Sequence, residues 1–493
     1  MSYTISSKNL LRGAVPALAA VLLAFSIGAQ AQAVQTPQDK TVGLVTPSTE
    51  EGGPAQGSAA PGGNAATKAS EPPLVNVGKA LNNHGISPIF NVVQFWLGDP
   101  KMGQNPGNWE ELTLLTVGAD VDMNKLIGYK GGNFHFTELL VPTTHNTQGY
   151  GTQVGDTLVG QPGPYIPYFP HLTRLTWEHK AFNNKFELEF GKANAGTWFV
   201  KSVCLVDFGC QSLLAQYDGG FGESPTPYAD WLVRSAFHFN KALTLQVSTW
   251  RENATFPWSD GWEIGKTPTF HGARPDSNVY LADLSYRTDP RQDKYAKDYE
   301  FSYAHNTAQQ NRELSIGNGF SNPTKDQHMG TDIIYAAGRQ GVHNFSAPGT
   351  APKPFSVYGQ LTQSLDSKNV SGLYTDFKAG VIQGGLIKGH PADQISLKYS
   401  LVRTTQDMYD FENSANIAAG GSGFKNGRNE QGLGVEAFLL TKYVIAMPFA
   451  QRVWNPNTLM NPSYGGQTKA GWGFGTMLIF PLDGILGLDG GHH

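Results

Sequence analysis

The sequence predicts an all-β protein, a transmembrane antiparallel β-barrel of the outer membrane with about 16 strands, long outer loops and short periplasmic turns. Three observations predict this class. Apolar and polar residues alternate with a period of two in segment after segment. No apolar run after the N-terminal export signal is long enough for a membrane helix. Very short connections alternate with long ones along the chain.

Residues 1–31 have the pattern of a cleaved secretory signal peptide. Lys8 and Arg12 form a basic end, residues 14–28 are apolar, and Ala29-Gln30-Ala31 fits a cleavage site. A membrane anchor is the alternative, although Pro16 interrupts the run. Later stretches do not approach the roughly 18 apolar residues of a membrane helix. A spanning protein would therefore cross as a closed barrel, and a soluble periplasmic or secreted protein remains the other possibility.

Composition divides the remaining chain into three parts. Residues 32–78 are rich in Pro, Gly, Ala, Ser and Thr, so we expect a flexible lead-in. Residues 79–481 are predicted to form the barrel, and 482–493 a periplasmic tail. Charged residues make up only 15% of the chain, against roughly 25% in soluble domains. Loss of the two basic signal residues leaves 34 basic against 40 acidic residues, which gives no indication of nucleic-acid binding.

Sixteen candidate strands follow one another. In one of them, Phe186, Leu188 and Phe190 alternate with Glu187 and Glu189, which places the two sets on opposite faces. An even number of strands is usual for bacterial barrels. The predicted strands are 89–97, 110–122, 133–141, 172–181, 185–193, 228–239, 242–250, 278–287, 298–306, 330–337, 355–364, 372–382, 395–403, 432–440, 443–453 and 469–480.

The connections between these strands alternate in length. Asn183-Asn184 and Asn240-Lys241 are tight turns on one side. The long connections 142–171, 194–227, 251–277, 307–329 and 404–431 all lie on the other side. Two connections break the rule, 338–354 and 365–371. A soluble sandwich or propeller would not need this parity, whereas outer-membrane barrels show it.

Polar residues on the non-lipid face are the candidate binding residues. Arg174, Glu178, Glu187, Asp230 and Arg234 oppose apolar rows on neighbouring strands. Carboxylates, arginine and aromatic rings together suit a neutral sugar, which presents hydroxyl groups and C–H faces. The alternative is that these side chains only hydrate the lumen and brace the barrel.

The long 194–227 connection can reach the same space, because it joins two of these strands. It carries the further candidates Trp198, Asp207, Asp218 and Phe221. Its aromatic residues, and Trp250, Trp258 and Trp262, could form a constriction or belong to the interfacial girdle.

Cys204 and Cys210 are the only cysteines, and in an exported protein we expect them to form a disulfide. A metal site and free thiols are the alternatives. No enzyme motif is found: GGSGF at 420–424 lacks the second glycine of a nucleophile elbow, and no P-loop, zinc or EF-hand pattern occurs. We therefore predict no enzymatic activity, no metal and no cofactor.

Several ordered segments resemble the carbohydrate-selective porins of the OprB type over roughly 80–480. They are VGADVDMNKLIGYKGGNFHF (117–136), the strand–turn–strand segment 172–199, the Gly-rich segment 379–400, and GVEAFLLTKYVIAMPFAQRVWNPN (434–457). The resemblance implies a 16-stranded outer-membrane channel for monosaccharides and related sugars, surrounded by outer-membrane lipid. One departure is the 13 residues after Phe480, because such barrels usually end on an aromatic residue.

Two other functions stay open. One is a non-selective structural porin, and the other is an outer-membrane enzyme acting on lipid or glycan.

Overall fold

A computed structural model describes residues 72–99, 101–104, 106–144, 170–205, 229–252, 262, 277–290, 293, 295–310, 328–346, 353–369, 371–387, 390, 392–441, 443–458 and 464–490. Within these residues sixteen strands and four α-helices are present. The strands are β1 Ile86–Asp99, β2 Asn108–Asp122, β3 Gly132–Thr144, β4 His171–Ala181, β5 Phe186–Ala193, β6 Asp230–His238, β7 Leu243–Glu252, β8 Ser277–Arg287, β9 Lys297–Gln310, β10 His328–Asn344, β11 Pro354–Ser364, β12 Leu373–Gly384, β13 Gln394–Thr404, β14 Asn429–Leu440, β15 Ile445–Trp454 and β16 Gly471–Pro481. The helices are α1 Val75–Asn83, α2 Met123–Ile127, α3 Gln406–Ala418 and α4 Leu482–Leu486.

The strands form one closed antiparallel barrel in which every strand pairs with its neighbours in sequence. β1 pairs with β16, from Asn91 opposite Pro481 to Gly98 opposite Phe474. Closure leaves no unpaired strand edge, which is the requirement for a sheet in hydrocarbon. The predicted fold class is confirmed, and each predicted strand corresponds to one observed strand.

No helix among the described residues is both long and apolar enough to span a membrane.

The two faces of the strands differ as the period-2 pattern predicts. On β5, Glu189 is fully buried inside the barrel and Phe190 is 47% exposed on its outside. On β14, Leu433 and Val435 are exposed on the outer face, while Glu436 is buried. The barrel thus carries apolar side chains outward and charged ones inward.

An apolar cluster fills part of the interior next to β1 and β2. Leu112 and Leu114 are apolar exceptions on the inward face of β2, which continues with Thr116, Gly118 and Asp120. The register places the two leucines opposite Phe95 and Val93. All four side chains are almost fully buried and belong to one apolar cluster with Met477. These two leucines therefore mark the part of the barrel wall that packs against other interior residues rather than water.

The strand bounds leave the longest connections at one end of the barrel, which we call the outer end, and we call the other the periplasmic end. The predicted exception 338–354 disappears in part, because β10 continues to Asn344 with a register shift after Gly341. The tight periplasmic turn 182–185 has positive φ at Phe182, Asn183 and Asn184, a conformation that asparagine tolerates.

One outer connection is not a plain loop. Residues 406–418 form α3, whose N-cap is Thr405, since its hydroxyl accepts a hydrogen bond from the Met408 N–H at 3.1 Å. The expected loop 404–431 thus contains a three-turn helix.

The two ends of the described chain meet at the β1–β16 seam. The Leu74 N–H donates to the Leu486 carbonyl at 2.8 Å, and the Phe90 N–H donates to the Asp483 carboxylate at 3.3 Å. A Cβ at Gly78 would lie 2.2 Å from the Gly487 carbonyl oxygen, so only glycine fits this contact. Helix α1 begins inside the segment 32–78 that was expected as a lead-in, and α4 lies in the expected tail.

Candidate functional site

A chain of polar contacts runs along the inner wall from β2 to β9, one strand after the next. We call it the inner belt, and its members are Asp120, His135, Glu178, Lys180, Glu187, Arg234, Gln246, Asp283 and Ser302. Each member points inward because it occupies the polar phase of its strand.

In the first half of the inner belt, carboxylates alternate with one histidine and one lysine. Nδ1 of His135 lies 2.5 Å from the Asp120 carboxylate, and its Nε2 lies 3.6 Å from that of Glu178. Nζ of Lys180 lies 3.2 Å from Glu178 and 3.9 Å from Glu187. Lys180 thus compensates carboxylates on its own strand and on β5, and His135 bridges carboxylates on β2 and β4.

The second half continues through an arginine and an amide. Arg234 donates to the Glu187 carboxylate at 3.2 Å and to the Gln246 side-chain oxygen at 2.7 Å. Gln246 in turn donates to Asp283 at 3.1 Å, and the Ser302 hydroxyl donates to the other Asp283 oxygen at 2.9 Å. These contacts hold the polar groups in fixed positions on the wall.

Glu189 lies next to the inner belt and pairs with two arginines. Its carboxylate is fully buried, accepts hydrogen bonds from Arg174 at 2.8 Å and from the Thr176 hydroxyl at 2.6 Å, and lies 3.6 Å from Arg234. A buried carboxylate requires such partners, because desolvation of an unpaired charge costs several kcal/mol.

Trp198 lies against the same two arginines. The guanidinium carbons of Arg174 and Arg234 are each 5.4 Å from the centre of its ring, within the range of a cation–π contact. Trp198 follows the short 3-10 turn Ala195–Thr197, in which the Asn194 side chain accepts a hydrogen bond from the Gly196 N–H. This turn brings the start of the 194–227 connection into the barrel.

The next residues of this connection are attached to the wall further round. Phe199 is buried and stacks on Trp250 of β7, with ring centres 6.1 Å apart. The Lys201 N–H donates to the Glu300 carboxylate of β9 at 3.3 Å, and the Lys201 carbonyl accepts a hydrogen bond from Tyr335 of β10. Residues 194–205 therefore follow the inner wall from β5 to β10.

The opposite wall carries a second set of paired charges. Lys378 contacts Asp376 at 2.5 Å, and Lys398 forms a buried ion pair with Glu436. Arg339 donates to the Gln394 side-chain oxygen at 3.2 Å. Both walls thus present fixed donors and acceptors, and the inner belt carries four carboxylates against the two cations Lys180 and Arg234.

Five of the nine predicted sugar-site residues lie together on the inner wall. Arg174, Glu178, Glu187 and Arg234 lie in or beside the inner belt, and Trp198 contacts two of them. Asp230 is buried at the outer end of β6, the strand that also carries Arg234. Asp207, Asp218, Phe221 and Cys210 lie outside the described residues. Cys204 is disulfide-bonded, and its pairing with Cys210 stays a prediction.

Several inward-facing residues of the wall were not predicted as site residues. They are Asp120, His135, Glu189, Gln246, Asp283, Glu300, Tyr335, Lys378 and Lys398. The same period-2 alternation could have identified most of them as inward-facing. The contacts of Glu300 and Tyr335 with Lys201 could not have been predicted in this way, because they depend on the path of the 194–227 connection. Among the described residues, no group of three His, Cys, Asp or Glu side chains could hold a metal ion.

Comparison with solved structures supports the fold. A structure of Pseudomonas putida OprB obtained at high pH aligns with a TM-score of 0.65 at 16% identity, covering 82% of this chain and 95% of that one. The low-pH structure of the same protein gives a TM-score of 0.49 at 11% identity over 84% and 99% of the two chains. Salmonella typhi OmpF in complex with daunomycin gives 0.43 at 8% identity over 81% and 98%. A comparison with curated proteins gives no significant match.

A family profile described as "Carbohydrate-selective porin, OprB family" matches residues 110–457. This stretch extends from the start of β2 to just beyond β15 and includes the inner belt, both charged walls and α3. The profile thus covers well over half of a chain that folds as a closed 16-stranded barrel with a polar interior. The chain belongs to the OprB family of carbohydrate-selective porins.

Proposed function

We propose that the barrel passes monosaccharides and related small sugars across the outer membrane by facilitated diffusion, and that sugars move along the inner belt past Trp198. The family supports a carbohydrate channel. The observation that supports this particular path is the contact of Trp198 with Arg174 and Arg234, which brings the inward connection next to a dense set of donors and acceptors.

The chemistry of the wall suits an uncharged polyol. A sugar hydroxyl both donates and accepts, so it can exchange water for carboxylate and guanidinium groups that are already in position. The charges are paired, for example Arg174 with Glu189 and Lys398 with Glu436. These ion pairs hold the polar groups in place, and a neutral sugar can contact them without the cost of dehydrating a charge of its own.

Release is as important as binding in a channel, since a solute must leave as readily as it enters. The inner belt offers many similar polar groups in a row rather than one closed pocket. We therefore expect affinity in the millimolar range, equivalent to about 4 kcal/mol.

Liposome swelling tests this function. Vesicles containing the purified barrel should swell faster in hexoses and pentoses than in an uncharged polyether of equal size. Trp198→Ala should reduce this preference, whereas Trp96→Ala, which removes an exposed ring on the outside of β1, should leave it unchanged. Equal swelling in sugars and polyether by the unaltered protein would indicate a non-selective porin.

A further inference from the structure

The outward row of β13 ends in a basic residue at the outer end of the barrel. Ile395, Leu397 and Tyr399 are all exposed on the outer face, Leu401 follows them, and Arg403 is the next outward residue. An apolar row of this kind faces hydrocarbon, and the flanking interface carries amphipathic and charged residues. Arg403 therefore lies at the level of the lipid headgroups.

A second arginine is fixed beside it. Arg403 is paired in register with Asn429 of β14, which directly follows Arg428. Nε and Nη2 of Arg428 donate to the Thr404 carbonyl at 3.0 and 2.7 Å, and Nη1 contacts the Gln406 side chain at 3.4 Å. Burial and then the charge of Arg403 lower the pKa of Arg428, while Tyr374 and Asp410 act in the opposite direction. The two guanidinium groups are thus close enough to repel each other.

This pair is only partly compensated by negative charge, since Asp410 acts on Arg428 without forming a salt bridge with it. Among the residues that the structure describes, neither Arg403 nor Arg428 forms a salt bridge. The guanidinium carbon of Arg403 lies 6.0 Å from the ring centre of Tyr374, so the aromatic ring orients it without compensating its charge. Such a pair matches a phosphate, because the Arg403 guanidinium can donate two parallel hydrogen bonds to its oxygens. Arg428, whose Nε and Nη2 already donate to the Thr404 carbonyl, adds its positive charge and its remaining N–H groups.

We propose that Arg403 and Arg428 bind a phosphate group of an outer-leaflet lipid. Arg403 is on the outer face of β13, and Arg428 is at the outer end of the barrel just before β14, so the site lies away from the inner belt. Leu397, Leu433 and Val435 lie below it on the outer faces of β13 and β14 and are 42–51% exposed. They provide the apolar surface along which the acyl chains of the same lipid molecule pack. This continuity favours a lipid over a dissolved anion.

Native mass spectrometry of the purified barrel tests the proposal with two probes, lipid A carrying its phosphates and the same lipid after dephosphorylation. The unaltered protein should bind the phosphorylated form more tightly. Arg403→Gln with Arg428→Gln should weaken this binding by roughly tenfold or more, since charge-assisted contacts to phosphate are strong. The dephosphorylated lipid should bind both proteins equally. Arg403→Lys with Arg428→Lys should fall between them, because lysine keeps the charge and loses the planar fork.

The matched control removes two exposed positive charges from the periplasmic end, Lys185→Gln with Lys241→Gln. An equal loss of lipid in this control would mean that net charge and not the arginine pair is responsible, which would overturn the proposal. Inorganic phosphate that binds the pair while phosphorylated lipid does not would also overturn it. Unchanged migration of the unheated variants on gels confirms that each barrel is folded.

Discussion

On β5, Glu189 and Phe190 are neighbours in the sequence and lie in different environments. The carboxylate is fully buried between two arginines inside the barrel, and the ring is 47% exposed on the outside. The period-2 pattern was sufficient to assign these faces. It could not supply the partner of Glu189, because Arg174 and Arg234 belong to other strands and meet it only through the register of β4, β5 and β6.

The outward row of β14 allows the lipid-facing assignment to be tested by depth. Val435 lies near the centre of this strand and Gln431 near its outer end, and both occupy the same face. Val435→Arg should lower the free energy of unfolding by about 2–4 kcal/mol, whereas Gln431→Arg should lower it by about 0–1 kcal/mol, because the cost of a buried charge falls towards the interface. Urea unfolding in lipid vesicles measures both values. Similar losses at the two positions would show that the row does not cross the hydrocarbon.

At the scale of elements, α3 shows why one part of the fold was not predicted. Its buried residues are Met408, Glu412 and Asn416, which follow one another at the helical spacing of four. Two of the three are polar, so the buried face has no apolar stripe that a search for amphipathic periodicity would detect. The polar residues are satisfied by other loops: Glu412 accepts from Thr458, and Asn416 donates to the Tyr464 carbonyl.

Burial of Glu412 makes the docking of α3 dependent on pH. Its carboxylate accepts hydrogen bonds from the N–H and hydroxyl groups of Thr458, both at 2.9 Å, and contacts the Asn457 side chain at 3.4 Å. Desolvation outweighs these contacts and raises the pKa of Glu412 to about 7 from an ordinary value of 4.5. Between pH 4.5 and about 7, the Glu412 carboxyl of the docked helix therefore stays protonated, whereas that of an undocked helix is ionised. Docking is strongest below pH 4.5 and weakens as the pH rises through 7, by an amount on the order of 3 kcal/mol.

Hydrogen exchange of residues 405–418 and 455–458 measures this effect. Exchange should accelerate between pH 5 and 8, after correction for the intrinsic pH dependence of exchange, in the unaltered protein. In Glu412→Gln, which cannot ionise, the corrected rates should be flat. Asp410→Asn removes an exposed carboxylate from the same helix and should behave like the unaltered protein. A pH dependence that persists in Glu412→Gln would assign the titration to another group.

At the scale of the whole molecule, the sequence was sufficient for the barrel and insufficient for the path of its interior connection. Strand number and closure follow from local periodicity and connection length, which are properties of the chain itself. The course of residues 194–205 depends instead on contacts with distant strands, such as Phe199 with Trp250 and Lys201 with Glu300. Those partners lie far along the sequence, and no local pattern links them.

Deletion of residues 206–222 tests whether the inward course of this connection narrows the pore. The attachments of Trp198, Phe199 and Lys201 lie before the deletion and would be kept. If the connection constricts the pore, its shortening should raise single-channel conductance and abolish the preference for sugar over a polyether of equal size. The matched control deletes residues 311–325 from another long outer connection. Cys204→Ser accompanies the first deletion, which removes Cys210, and Cys204→Ser with Cys210→Ser accompanies the control, so that neither variant has an unpaired thiol. An unchanged conductance and sugar preference in the first variant, measured in planar bilayers and by vesicle swelling, would mean that the constriction and the sugar-contacting residues lie elsewhere on the wall.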